Sequence, residues 1–157
     1  MAKKVMDRRA ADNKYLHRDF HVSGDLGIEY VGKRFGDNGV KEYLRRFATA
    51  FYSPLVEDIK ERGLVALKEH IENIYEIEEA PEVLKTTLEE EELLVEVSQC
   101  PAIAYMKSID YTPSKWYIEQ TRTVNETIAD NADLGFELIS YDDETGKTAY
   151  RFFRRCF

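Results

Sequence analysis

Apolar residues recur every three or four positions through the first half of the chain, and at alternate positions in parts of the second half. From about residue 13 to residue 35, Leu16, Phe20, Gly24, Gly27, Ile28, Val31 and Phe35 fall on one stripe at about 100° per residue. That pattern predicts an amphipathic helix, with Gly36 as its stop and Asp37 as the next N-cap. A second helix is expected over about 38–52, with Val40, Tyr43, Leu44, Phe47 and Phe51 as its buried face. Ser53-Pro54 is a cap followed by proline at a first helical position, so the chain bends or restarts there and runs to Arg62, with Gly63 as terminator. A further helix carries Leu64, Leu67, Ile71, Ile74 and Tyr75.

The pattern changes at Pro81. Val83, Leu84, Thr86 and Leu88 suit a strand, the acidic run Glu89 to Glu92 suits a turn, and Leu93 to Ser98 alternates as a second strand. Cys100-Pro101 opens a short helix through about Lys107, and Thr112-Pro113 opens another that ends near Asn131. Phe136 to Tyr141 is expected to pair with Thr148 to Phe153 across Asp142 to Gly146, a Gly-containing hairpin turn. The expected fold class is therefore α+β: an N-terminal helical layer, then two β-hairpins forming a four-stranded, mainly antiparallel sheet with intervening helices.

Length changes this picture little, since 157 residues suit one domain, with a helical part over about 13–79 and a mixed part over about 81–157. A 43% hydrophobic and 12% aromatic content argues against disorder. The net charge of -8 disfavours nucleic acid and anionic membrane surfaces as partners. Two cysteines make no disulfide framework, no signal peptide or membrane-spanning run is visible, and the expected location is the cytoplasm. The aromatic-rich helical surface makes a homodimer plausible.

Three places carry candidate chemistry. His17 and His21 lie four apart, so their rings are neighbours within the apolar stripe, with Gly24 just beyond them. They suit catalysis; alternatively they are satisfied core histidines or a helix–helix contact. Asp19 points away from them, and His70, among Lys68, Glu69 and Glu72, reads as a surface residue. Cys100 stands at a helix start, where the positive end of the dipole favours a thiolate, although a free cysteine is often simply buried. In the late helix Tyr117, Ile118, Val124 and Ile128 define a stripe that contains Thr121 and Asn125, with Arg122 at its edge. A hydroxyl, an amide and a guanidinium suit a small carboxylate; alternatively Thr121 bonds its own helix, Asn125 bridges backbone and Arg122 pairs with a glutamate. No Gly-rich phosphate loop, Gly-x-Ser-x-Gly elbow or Cys-x-x-Cys pair is present.

His17-Arg18-Asp19-Phe20-His21, Arg46-Phe47-Ala48, Tyr52-Ser53-Pro54-Leu55, Cys100-Pro101 and Arg122-Thr123-Val124-Asn125-Glu126 occur in that order. The ensemble resembles the bacterial family named after L-2-amino-thiazoline-4-carboxylate hydrolase, over nearly the whole chain from about Asn13. Its order of a helical part and then a mixed part with a Cys-Pro is also similar to the vinyl-reductase-type small-molecule-binding fold. Members of the hydrolase family often carry further cysteines in the late helix or last strands, where this chain has Thr121, Thr123 and Tyr150 to Phe153.

The resemblance implies a hydrolase of a cyclic amidine, or another carbon–nitrogen bond in a small carboxylate. Cys100 would be the nucleophile, His21 or His17 the base and then the acid, and Arg122, Asn125 and Thr121 would hold the substrate. No cofactor or metal is expected. Two other readings stand beside it: a non-catalytic small-molecule binding or sensor domain with the same pocket, and a zinc site built from His17, His21 and Cys100.

Overall fold

The computed structural model describes residues 14–156, and the side chains of residue 18 and residues 20–156. Helix α1 (Lys14–Phe51) is broken at Gly36, whose φ of 68° and ψ of -166° lie outside the helical region and suit a residue without a Cβ. The second arm doubles back on the first. The Tyr43 hydroxyl lies 3.7 Å from where a Cβ on Gly27 would stand, and Val31 is equally close to Gly39. At 1.5 Å rise per residue those pairs would be roughly 24 and 12 Å apart along one straight helix.

Helix α2 (Ser53–Arg62) begins one residue earlier than expected: Tyr52 and not Ser53 is its N-cap, Ser53 opens the helix with Pro54 next, and it stops at Gly63, whose amide donates to the Ile59 carbonyl at 2.7 Å. Helix α3 (Leu64–Ile77) buries Leu64, Ala66, Leu67 and Ile71. After a 3-10 turn (Pro81–Val83) come β1 (Leu84–Leu88), β2 (Glu92–Val97), α4 (Pro101–Ser108), α5 (Ile118–Asn131), β3 (Leu134–Tyr141) and β4 (Thr148–Arg154). The sheet is antiparallel throughout, in the order β1-β2-β4-β3. The α+β class holds: helices come first, then two hairpins joined through β2 and β4.

One sheet face makes the floor of the core. Leu93, Val95 and Val97 alternate inward on β2, and opposite them stand Phe152, Tyr150 and Thr148 of β4. Helices α3 and α5 cover this face, and α1 packs on α5.

The buried stripes of α1 differ from the expected ones. In the first arm the inward positions are Asp25, Ile28 and Gly32, while Phe20 and Phe35 are exposed; Leu16 lies outside the described side chains. Polar and small residues hold the inward positions because each has a dedicated partner. Asp25 accepts from the Tyr111 hydroxyl at 2.7 Å and from the amide and hydroxyl of Ser114 at 2.8 Å each. Gly32 lies under the Trp116 ring, which would be 2.6 Å from a Cβ there. In the second arm Val40, Leu44 and Ala48 point inward, and Tyr43, Phe47 and Phe51 face solvent, with the two phenylalanine rings stacked at 5.2 Å.

The same contacts move the start of the late helix. It begins at Ile118 and not at Thr112-Pro113. Ser114 is tied to Asp25, and the Trp116 indole N–H donates to Asp37 at 2.7 Å, so residues 112–117 are held against α1 as an irregular segment that ends in a turn at 115–117. Among the described residues, no helix is long and apolar enough to cross a membrane.

Candidate functional site

A cavity of about 200 Å³ lies between α3, α5 and the sheet. Cys100 reaches it from the start of α4, and Thr121 and Asn125 reach it from α5. Leu67, Ile71, Val124 and Ile128 supply apolar wall, and His70, Gln120 and Thr148 add polar groups. Four tyrosines complete it: Tyr52 at the α1–α2 junction, Tyr75 on α3, Tyr141 on β3 and Tyr150 on β4. Burial holds each of these phenols above its ordinary pKa, so all four are neutral at physiological pH.

Cys100 is the N-cap of α4, as the Cys-Pro pair predicts. Its amide donates to the Thr145 carbonyl at 2.9 Å, fastening the helix start to the β3–β4 turn. Gly146 in that turn has a φ of 69°, and a Cβ there would lie 2.3 Å from the Cys100 Cβ. Burial pushes the thiol pKa up; the N–H groups of Ile103 and Ala102 pull it down, and the charge of Glu78 adds to the rise. Burial wins over the helix start, so Cys100 rests as a thiol, against the expectation of a favoured thiolate.

Tyr141 reaches the cavity through an irregularity of β3. Leu138 pairs with Tyr150 but Ser140 pairs with Ala149, so one extra residue, Ile139, is accommodated between them. This bulge reverses the side-chain alternation. Tyr141 stands opposite Thr148 on the inner face, where regular pairing would turn it outward, and Ile139 is exposed. The Thr148 hydroxyl donates to the Ser140 carbonyl at 2.8 Å and clamps the bulge.

The other expected site residues lie elsewhere. His21 Nε2 is 2.8 Å from Glu78 Oε1 at the end of α3, and its ring lies near Tyr105; it does not line the cavity. The side chain of His17 is outside the described residues. Arg122 pairs with Glu119 of its own helix, which also accepts from the Thr123 hydroxyl at 2.5 Å, and Arg122 is absent from the cavity wall. Among the described residues no three His, Cys, Asp or Glu side chains are grouped to hold a metal ion.

His70 was expected at the surface; it is half-buried, lines the cavity, and has its pKa lowered by burial. Its position on the stripe of Leu67 and Ile74, three after one and four before the other, is a sequence signal that points it inward. The four tyrosines carry no such common signal.

A second hollow of about 460 Å³ is an open groove between α2 and α3. It is larger, but its charged side chains satisfy one another: Arg62 bonds Asp58 at 2.7 Å and Glu69 at 2.8 Å. The smaller cavity is the better site, because its polar groups converge on enclosed space. Comparison with protein-family models, curated proteins and solved structures finds no match to this chain.

Proposed function

We propose that this protein binds a small, uncharged, hydrogen-bonding molecule in the cavity beside Cys100. The composition of the wall carries this reading: phenols, Thr121, Asn125, Gln120 and a neutral imidazole converge there, with no Lys or Arg among the described lining residues. A buried carboxylate without a cation is strongly disfavoured, and Arg122 is engaged by Glu119. The size fits too. An apolar cavity of roughly 150 Å³ takes up benzene, so about 200 Å³ suits one substituted ring.

A thermal-shift screen of single-ring amides, ureas, lactams and phenols beside matched carboxylates tests the proposal. Uncharged members should raise the midpoint and the carboxylates should not; a screen in which only carboxylates stabilise would sink it.

A second reading keeps the hydrolysis of a cyclic amidine or related carbon–nitrogen bond that the family resemblance implies. It is favoured by the presence of both Cys100 and His70 among the residues that line the cavity. His70, in place of His17 or His21, would take the thiol proton as sulfur adds to the amidine carbon. The proton would pass to the departing nitrogen as the carbon–nitrogen bond breaks, and water would then free the thiol. Product formation that is lost in Cys100→Ala, with ligand affinity retained, would select this reading over binding alone.

A further inference from the structure

Two side chains belong to both hollows. Tyr52 and His70 line the inner cavity and also the outer groove between α2 and α3. Their rings meet edge to face, with centroids 5.7 Å apart and planes at 88°. Around them the groove and the cavity are back to back. On α3, Ala66 and Glu69 face the groove, while Leu67 and Ile71 face the cavity. The partition at this point is thus one layer of side chains.

The backbone at Tyr52 is held on both sides, its amide donating to the Ala48 carbonyl and its carbonyl accepting from the Val56 amide, each at 2.9 Å, so only the side chain need move. Tyr52 stands between α1 and α2, with a φ of -94° and a ψ of 11°, and Pro54 follows in the first turn of α2. On its other side the ring already touches Phe51 and Phe47, at centroid separations of 5.0 and 6.2 Å and near-perpendicular planes. Phe51 is 65% exposed, so a Tyr52 ring leaving His70 has an aromatic surface to rest on without entering bare water. A rotamer change of one tyrosine needs no rearrangement of the fold.

We propose that the outer groove is the approach to the Cys100 cavity and that the Tyr52–His70 ring pair is its door. A ligand passes the Arg62, Asp58 and Glu69 rim, displaces the Tyr52 ring toward Phe51, and enters beside His70. This inference rests on the reading of the cavity as the ligand site, but its test needs no ligand.

The test is alkylation of Cys100 by iodoacetamide in full-length protein carrying Cys156→Ser, followed by intact mass. Tyr52→Ala should speed labelling by about tenfold or more, with a rate independent of low urea, as expected for local rather than global opening. His70→Ala should also speed it, and Tyr52→Phe, which keeps the ring, should return it to about the wild-type rate. Tyr141→Ala, on the opposite wall, is the control for access from the sheet side. Acceleration by Tyr141→Ala and not by Tyr52→Ala or His70→Ala would overturn the door, as would a Tyr52→Ala rate that follows the unfolding equilibrium. A silent ligand screen together with faster labelling of Tyr52→Ala would remove the proposed function and leave the door standing.

Discussion

Cys100 and His70 show how burial sets the chemistry of single residues here. Both titrate in the direction that keeps the neutral form, the thiol pKa upward and the imidazole pKa downward. For His70 the consequence is a pH dependence with a defined sign. Its folded pKa lies below the ordinary 6.5, so as pH falls through about 6.5 the unfolded chain takes up a proton that the native state refuses. The stability contributed by neutral His70 is present above that pH and is lost below it. The facing charges, Arg62, Asp58 and Glu69 on the groove rim, pair with one another and are shared by any His70 variant. Urea midpoints between pH 5 and pH 8 should therefore fall more steeply on the acid side in the wild type than in His70→Gln. Parallel profiles would show that His70 is charged, or solvated, in the native state.

Among the elements, most helices and strands were legible, because Gly36, Gly63, Pro54, Pro81 and Pro101 punctuate clear periodicities. What the periodicity could not carry was which face of α1 turns inward. Asp25 and Gly32 occupy core positions because Tyr111, Ser114 and Trp116 come to them from more than 80 residues away, and no local pattern records such partners. The site divided in the same manner. Cys100, Thr121 and Asn125 were readable from a corner and a stripe, whereas Tyr141 depends on a bulge whose only sign is a pairing register. Deleting Ile139 tests that bulge. Without the extra residue the pairing becomes regular with Leu138 opposite Tyr150, Ser140 opposite Ala149 and Tyr141 opposite Thr148, so Tyr141 should stay on the inner face. Nitration by tetranitromethane, mapped by mass spectrometry, should then modify Tyr141 no faster than in the wild type. Faster nitration in a protein that still unfolds cooperatively would mean that the bulge itself, and not the register with β4, holds the ring inside.

At the scale of the whole molecule, the helical layer and the sheet meet around one enclosed polar space, and its occupant is decided by electrostatics. A ligand present at 100 times its dissociation constant adds about 2.7 kcal/mol of stability. For a domain of this size that is roughly 5–10 °C in midpoint. Asn125 and Arg122 separate the candidate occupants. If the ligand is uncharged, Asn125→Ala should remove most of the ligand-induced shift, because the amide lines the cavity. Arg122→Ala should leave that shift intact and lower the ligand-free midpoint instead. It strands Glu119, a carboxylate that is only 4% exposed, with Thr123 as its remaining bonded partner. Losing one member of a partly buried pair of this kind costs about 1–3 kcal/mol. If the natural ligand carries a carboxylate, the order reverses: Arg122 must leave Glu119 to meet it, and Arg122→Ala abolishes the shift. The second pattern would return the substrate to small carboxylates, and would show that the Arg122–Glu119 pair is the resting form of a binding group.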